Sequence, residues 1–475
     1  MRSESIPRHD EGWLDALNTP ELESYQRTLL GRFDARVLNT RPARVILGVL
    51  LAAALVAPAV QSVLMIREIK ETPWRAGGDR HRTALGRWIP TAELVVDEHA
   101  KGYPYGFGHW FPTPPMVLIA LVPLSKLGYV GAGIVWAFLK IVGFVAAMGL
   151  LVKGLGREVF AVPLGVLLAT AVFSFRPILS DLQHGNLNIF MMIWLALAWV
   201  LYVRGRDFSA GLLVALAIVT KLTPALVLVY FVYKRSWRVC LGAGVGIVCL
   251  FVIVPGLLLG FERNFEYLHT WFEMLVAPYA IHGYATKSIT NQSLIGVAMR
   301  LLSNAGILSI EHMPDAMVER TGMDWMVRPA TWLGHLLKPA ITLSVVGALA
   351  WLCRGKDAAR RDPRRLLEFG LVLLAMLLLS ERTWKHHATT LPIVYLGVWY
   401  ALTCVDWSDR FRAWFVAGLG VQFALLVGST QGLMGDRLAN LMLDGGVFCW
   451  GLLLCFVQTG ILLAALNRRT HSLKS

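Results

Sequence analysis

Apolar runs recur along the chain with short polar turns between them, most of them roughly 17–25 residues and long enough to cross a hydrocarbon core as helices. They fall at residues 44–66, 129–152, 158–175, 187–203, 239–259, 329–352, 366–379, 388–405, 413–428 and 447–466. Two stretches break the pattern. Residues 114–127 hold an apolar core of only about 10–12 residues, too short to span, which predicts a half-inserted helix at the outer interface. Residues 209–233 read SAGLLVALAIVT, then KLTP, then ALVLVYFVY, with basic residues at both ends. Each arm is about half a membrane long, so a hairpin of two half-helices is expected, with Lys221 and Pro224 at its tip. The alternative is one helix kinked at Pro224, with Lys221 reaching for the interface.

Lysine and arginine cluster at alternate turns, which orients the runs as about ten crossings with both termini cytoplasmic. The fold class is therefore all-α: a polytopic integral membrane protein with half-inserted helices and a large first extracytoplasmic loop. Residues 1–43 form a cytoplasmic segment. In it Leu22, Tyr25, Leu29, Leu30, Phe33 and Val37 recur at helical spacing among Arg27, Arg32 and Arg36, as in an amphipathic helix on the inner leaflet. Residues 44–466 make one membrane domain, with the first outer loop at 67–128, and 467–475 a basic cytoplasmic tail. The polar N-terminal segment and the length of the first run argue for an anchor, not a cleaved leader. The expected location is the plasma (inner) membrane.

Composition agrees. The chain is 56% hydrophobic and 16% charged, against about 25% charged in a soluble domain. The formal net charge of +14 suits cytoplasmic loops facing anionic headgroups, and no motif supports nucleic-acid binding. The six cysteines lie in or beside apolar runs without a CxxC pair, as small core residues do.

The opening loop does not obey the charge bias. Residues 67–115 are basic and aromatic on the side where topology wants few cations, with Asp79 set among Arg75, Arg80, His81, Arg82 and Arg87. A carboxylate held ionised by arginines can take a proton from a hydroxyl nucleophile, and an ion-pair network is the plainer alternative. Asp97 and Glu98 are the competing carboxylates. Arg80, Arg82, Arg87 and Lys101 have the chemistry to bind phosphate or lipid headgroups. Three more polar stretches share that face: 181–188, 288–293 and 381–387. Trp384, Lys385, His386 and His387 form the densest of them. Adjacent histidines chelate metals poorly and no third ligand is evident, so no metal is expected, and a histidine that bonds phosphate or orients the acid–base pair is preferred to a purely interfacial anchor. Asn186, Asn188, Asn291 and Gln292 sit near the outer ends of runs, where amides bind sugar hydroxyls or cap helices, and Trp88 and Trp384 are candidate sugar or acceptor contacts.

Together these stretches resemble glycosyltransferase family 87, within the GT-C superfamily. The resemblance lies in HGNLNIFMMIWLALAWVLYVRGRDFSAGLLVALAIVTKLTPALVLVYFVYKRSWR at 184–238, FPTPPMVLIALVPLSKLG after the first loop, NQSLIGVAMRLL at 291–302 and TWKHHATTLP at 383–392. Asn186 replaces the commoner glutamine of a G-Q-x-N turn, and Thr383 the serine of an S-W-x-H-H segment. The resemblance spans roughly residues 72–400. It implies transfer of a hexose or pentose, mannose-like before others, from a polyprenyl-phosphate sugar to a hydroxyl of a lipid or glycan acceptor on the extracytoplasmic face, with inversion. By position it implies Asp79 as general base and His386 or His387 as the later-loop histidine. Arg80, Arg82, Arg87, Lys221 and Lys385 would meet the donor phosphate, and no cofactor or divalent metal is expected. Partners would be the donor lipid, the acceptor and membrane lipids. The rival readings are a transporter or flippase of lipid-linked sugars, which the broken helix pair favours and the sparse intramembrane charge and lack of an inverted repeat oppose, a different membrane transferase, and a noncatalytic partner in envelope assembly.

Overall fold

The computed structural model describes residues 24–71, 83–96, 111–155, 162–321, 323–355, 358–360 and 362–472. Helices occupy all ten positions that the apolar runs mark. Seven are long and apolar enough to cross a membrane: α1 (Arg41–Glu71), α4 (Gly128–Leu155), α5 (Leu164–His184), α9 (Trp237–Leu259), the helical stretch Trp332–Leu352 ending in α12 (Leu337–Leu352), α15 (Asp409–Gly428) and α17 (Val447–Ser472). The other three are shorter: α6 (Asn188–Val203), α13 (Pro363–Leu379) and α14 (Leu391–Cys404). Among the described residues seven helices thus have the length and apolarity of a span, against the expected count of about ten. The short three form the bundle's centre: Phe369 through Leu374 of α13 and Leu391 through Leu396 of α14 are all buried. A helix enclosed by other helices needs no lipid-matched length.

The expected short helix is α3 (Pro115–Ser125), 11 residues, which at 1.5 Å per residue covers about half a hydrocarbon core. The expected hairpin is also present. α7 (Asp207–Thr220) ends where Lys221 is extended, at φ −161° and ψ 135°, and α8 (Ala225–Tyr233) begins after Pro224. The kinked-helix alternative is excluded by that extended residue. α7 and α9 approach at backbone contact through glycine: a Cβ on Gly242 would lie 2.1 Å from the Phe208 carbonyl oxygen, and one on Gly211 2.1 Å from that of Val239. Small residues admit such packing where lipid gives helices no hydrophobic drive to associate.

Three features go beyond what the apolar runs mark. Residues 176–184 are not an outer polar loop: they continue α5, whose last turn ends at Gly185 in the left-handed region (φ 64°). Polar residues there join the helix because its neighbours satisfy them, as when Arg176 donates to Ser429 Oγ at 3.0 Å. The first loop contains a helix, α2 (Ala84–Val96), whose Leu85, Trp88 and Ile89 pack with Phe111, Leu118 and Trp136. And within this mostly helical fold a small sheet occurs. Between α10 (Phe261–Trp271), α11 (Leu294–Asn304) and α12, strands β1 (Ala285–Thr286), β2 (Ile310–His312) and β3 (Met326–Pro329) make an antiparallel sheet in the order β1-β3-β2. Strands of two to four residues are too short to show alternation in sequence. A further helix, α16 (Gln431–Asp444), lies between α15 and α17.

The loops at this end share hydrogen bonds. Arg300 donates to the carbonyls of Ser288, Asn291, Leu443 and Asp444. At the opposite end, Glu368 binds Lys234 and Arg365, each at 3.0 Å, and accepts from Tyr230 at 2.9 Å. The N-terminal segment is tied to that end, where Asp34 accepts from Tyr25 and from the backbone of Gly165.

Candidate active site

Gly185 supplies the positive φ that turns the chain between α5 and α6, and Trp136 Nε1 donates to its carbonyl at 3.0 Å. The Asn186 side chain then accepts from the backbone of Leu187 (2.7 Å), and Asn188 opens α6. This turn forms one wall of a cavity of about 710 Å³. The break at 220–223 adds Lys221, α2 adds Arg87 and Trp88, and α10 adds Trp271. The loop after α13 adds Ser380, Glu381, Arg382, Trp384 and His387, while Thr286, Ser288 and Thr290 contribute hydroxyls.

Residues 380–387 hold their shape through Thr383. It is fully buried, donates through Oγ1 to Leu377 (2.6 Å) and through its amide to Asn291 Oδ1 (2.9 Å), and accepts from the Gln292 amide at 2.6 Å. A 3₁₀ turn, Lys385–His387, then sends the two histidines apart. His386 points into the protein, stacks on His184 with ring centres 4.9 Å apart, and has Nε2 3.4 Å from Asn186 Nδ2. His387 faces the cavity beside Trp384, the two rings nearly parallel. Its Nδ1 lies 3.0 Å from the Arg382 carbonyl and 3.2 Å from the Trp384 amide. Burial, and then the charge of Lys221, holds the His387 imidazole neutral well below its ordinary titration range. Burial, and then His387, does the same for His386. The neutral ring carries one N–H: on Nδ1 it bonds the Arg382 carbonyl and leaves Nε2 an acceptor, and on Nε2 it leaves Nδ1 to accept the Trp384 amide and makes Nε2 a donor.

Arg382 lies over the Trp384 ring at 5.4 Å, and among the described residues its buried Nε and the buried Trp384 Nε1 have no hydrogen-bond partner. Glu381 pairs with Lys338, while its buried Oε2 has no partner among the described residues. Burial raises the Glu381 pKa against the opposing pull of Lys338. Behind the wall, Lys221 Nζ donates to Asn188 Oδ1 at 3.1 Å, and Asn188 Nδ2 donates to Asp181 Oδ2 at 2.9 Å.

The cavity thus gathers Arg87, Trp88, Asn186, Asn188, Lys221, Trp384 and His387 of the sequence candidates. Asp79, Arg80 and Arg82 lie outside the described residues. His386 and Lys385 are on the loop but do not line the cavity. Asn291 and Gln292 are a correction: both are buried and spend their amides on protein. Asn291 Nδ2 donates to the carbonyls of Thr286 and Glu381. Gln292 Nε2 donates to those of Ile289 and Leu443, and its Oε1 accepts from Cys449. They are loop clamps, not sugar ligands. Sequence reasoning passed over Arg382, Glu381, Lys140 and Asp181. For the last two the signal was available, since a lysine inside an apolar run needs a buried partner. Among the described residues no three His, Cys, Asp or Glu side chains converge as a metal site.

Residues 111–380, more than half of the chain, match the family model described as glycosyltransferase family 87. Two curated relatives are both described as polyprenol-phosphate-mannose-dependent alpha-(1-2)-phosphatidylinositol mannoside mannosyltransferase. That of Mycolicibacterium smegmatis is 26% identical over 86% of this chain and 87% of its own length. That of Mycobacterium tuberculosis is 25% identical over 59% of this chain and 72% of its own. Among solved structures, that of ArnT from Cupriavidus metallidurans bound to undecaprenyl phosphate has 14% identity and a TM-score of 0.37, covering 89% of this chain and 77% of that one.

Proposed function

The chain belongs to glycosyltransferase family 87 and is a membrane glycosyltransferase, and from that premise we propose that it moves a mannose-like sugar from a polyprenyl-phosphate donor to a hydroxyl of a glycolipid acceptor. The observation that carries this reading is one cavity, at one end of a helical bundle, that presents Lys221, Arg382 and His387 together with Trp88 and Trp384. Cations suit a phosphate leaving group, and aromatic faces suit a sugar ring. The curated relatives are described as polyprenol-phosphate-mannose-dependent and as acting on a phosphatidylinositol mannoside, which supports mannose and a glycolipid.

In this mechanism the acceptor oxygen attacks the anomeric carbon from the face opposite the phosphate. The C–O bond to phosphate breaks as the new one forms, so configuration inverts, and the hydroxyl proton passes to a carboxylate. The family resemblance gives that role to Asp79. Lys221 and Arg382 meet the charge that develops on the departing phosphate, and Arg80, Arg82 and Arg87 belong to the same basic loop. The neutral His387 hydrogen-bonds the acceptor or sugar hydroxyl through Nε2 and orients it. The basic residues at the far end, Arg204, Lys234 and Arg365 among them, support a plasma-membrane orientation with the cavity outside and both termini cytoplasmic.

Purified protein in nanodiscs, supplied with radiolabelled polyprenyl-phosphate mannose and an envelope lipid extract, is expected to label a glycolipid. Asp79→Asn is expected to lower the rate about 10²–10⁴-fold with donor binding retained. A folded Asp79→Asn variant with full rate would remove the general-base assignment, and vesicle uptake without labelling would favour transport. The reaction as written uses no divalent metal, so EDTA is expected to leave the initial rate unchanged.

A further inference from the structure

Two charged side chains that play no part in this mechanism lie buried behind the cavity. Lys140 of α4 is 1% exposed and Asp181 of α5 is fully buried. Lys140 Nζ is 2.5 Å from Asp181 Oδ1 and donates to the Asp181 backbone carbonyl at 2.9 Å. The other carboxylate oxygen accepts from Asn188 Nδ2 at 2.9 Å, and Asn188 Oδ1 accepts from Lys221 Nζ at 3.1 Å. The line Lys140–Asp181–Asn188–Lys221 crosses from α4 through α5 and α6 to the break after α7, and only its last two members line the cavity. The Asn188 backbone is fixed as well, since its carbonyl accepts from Thr389 Oγ1 at 2.8 Å.

We infer that Lys140 and Asp181 are positioning residues that fix Lys221 at the cavity wall and leave its charge free for a phosphate. The argument is one of donors and acceptors. An ionised carboxylate only accepts, so Asn188 must turn its NH₂ toward Asp181. Its carbonyl oxygen is then left facing Lys221, and an ammonium only donates. Asp181 thereby sets the amide orientation that gives Lys221 its acceptor. Lys140 cancels the charge of Asp181, and Asn188 is a neutral spacer between Asp181 and Lys221. Without that spacer Lys221 would pair with the carboxylate and be lost to the substrate. A pair this deeply buried is weak evidence of stability in itself, because desolvation offsets most of its attraction, so a role in setting geometry accounts for it better.

The inference rests on the reading that Lys221 meets the donor phosphate, and the test separates the two. The probes are a short-chain polyprenyl phosphate and the matching uncharged polyprenol, binding to full-length protein in nanodiscs. Neither carries a sugar, so lost sugar contacts do not register. The Lys140→Met/Asp181→Asn double variant removes the pair without leaving a lone buried charge. It is expected to bind polyprenyl phosphate about tenfold more weakly, the scale of one hydrogen bond to a charged group, with polyprenol affinity unchanged. Asn188→Leu, which keeps the pair, is expected to show the same selective loss and stands in if the double variant does not fold. Asn188→Asp is expected to lose selectivity for the phosphate altogether, because it brings a carboxylate to Lys221. Lys221→Met is the control. If it weakens phosphate binding while the folded double variant and Asn188→Leu do not, the positioning role is overturned and the phosphate reading stands. Equal losses on both lipids would make the relay merely structural. If Lys221→Met leaves phosphate binding intact, both fall.

Discussion

At the scale of single residues, neighbours that look alike in sequence have separate tasks. His386 and His387 are adjacent, yet one stacks on His184 and the other faces the cavity. We expect His387→Gln to lower the transfer rate about 10²-fold or more at unchanged donor Kd, and His386→Gln to lower thermal stability before it lowers rate. Titration separates the two roles further. His387 has a folded pKa below its unfolded one, so the unfolded chain takes up its proton first as the medium is acidified. The fold therefore loses stability as pH falls from about 6.5, the ordinary imidazole value, toward the depressed folded value, and gains nothing from this group above it. The thermal midpoint of wild type is expected to fall more steeply between about pH 6.5 and 5 than that of His387→Gln. Asn186, Asn188, Asn291 and Gln292 make the same point for amides. All four lie near helix ends, and sequence alone treats them alike, because whether an amide is free depends on which distant carbonyls reach it. Asn291→Ala strands two carbonyls and two amides at once. It is expected to destabilise the protein by about 2–4 kcal/mol, read from the denaturation midpoint of folded protein in detergent.

At the scale of elements, hydropathy was a sound guide wherever a helix meets lipid and a weaker one elsewhere. The α1, α4 and α9 helices follow their apolar runs closely, since lipid contact demands an uninterrupted apolar surface. The half-length α3 and the broken α7–α8 pair were also legible, from run length and from Lys221-Leu222-Thr223-Pro224. What escaped was polar helix. α5 carries on through Arg176 and Asp181 because groups elsewhere in the bundle pair them, and although the lysine at 140 signals that a buried partner is needed, local sequence does not say which residue supplies it. α2 and the small sheet lie outside long apolar runs, and the strands are too short to show alternation. The glycine contact between α7 and α9 gives a direct test: Gly242→Ala drives a methyl group against the Phe208 carbonyl and is expected to cost about 1–3 kcal/mol, while Gly244→Ala, which meets open space, is expected to be neutral, by the same midpoint measurement.

At the scale of the whole molecule, segments that lie far apart in sequence surround one cavity, and α2, the turn at 185–188, the break at 220–223 and the loop at 380–387 meet there because the helices carrying them share an end. Their order along the chain was readable from the sequence, but the distances between them were not, and the presence of Lys140 and Asp181 behind the wall followed only once α4 and α5 were seen side by side. Arg300 adds a constraint on time as well as on shape. One guanidinium collects carbonyls from 288, 291, 443 and 444, so the loop that ends at α11 and the loop that ends at α17 cannot loosen separately without stranding its donors. The two loops therefore loosen together or not at all. Amide hydrogens in the two loops are expected to exchange with solvent at one common rate.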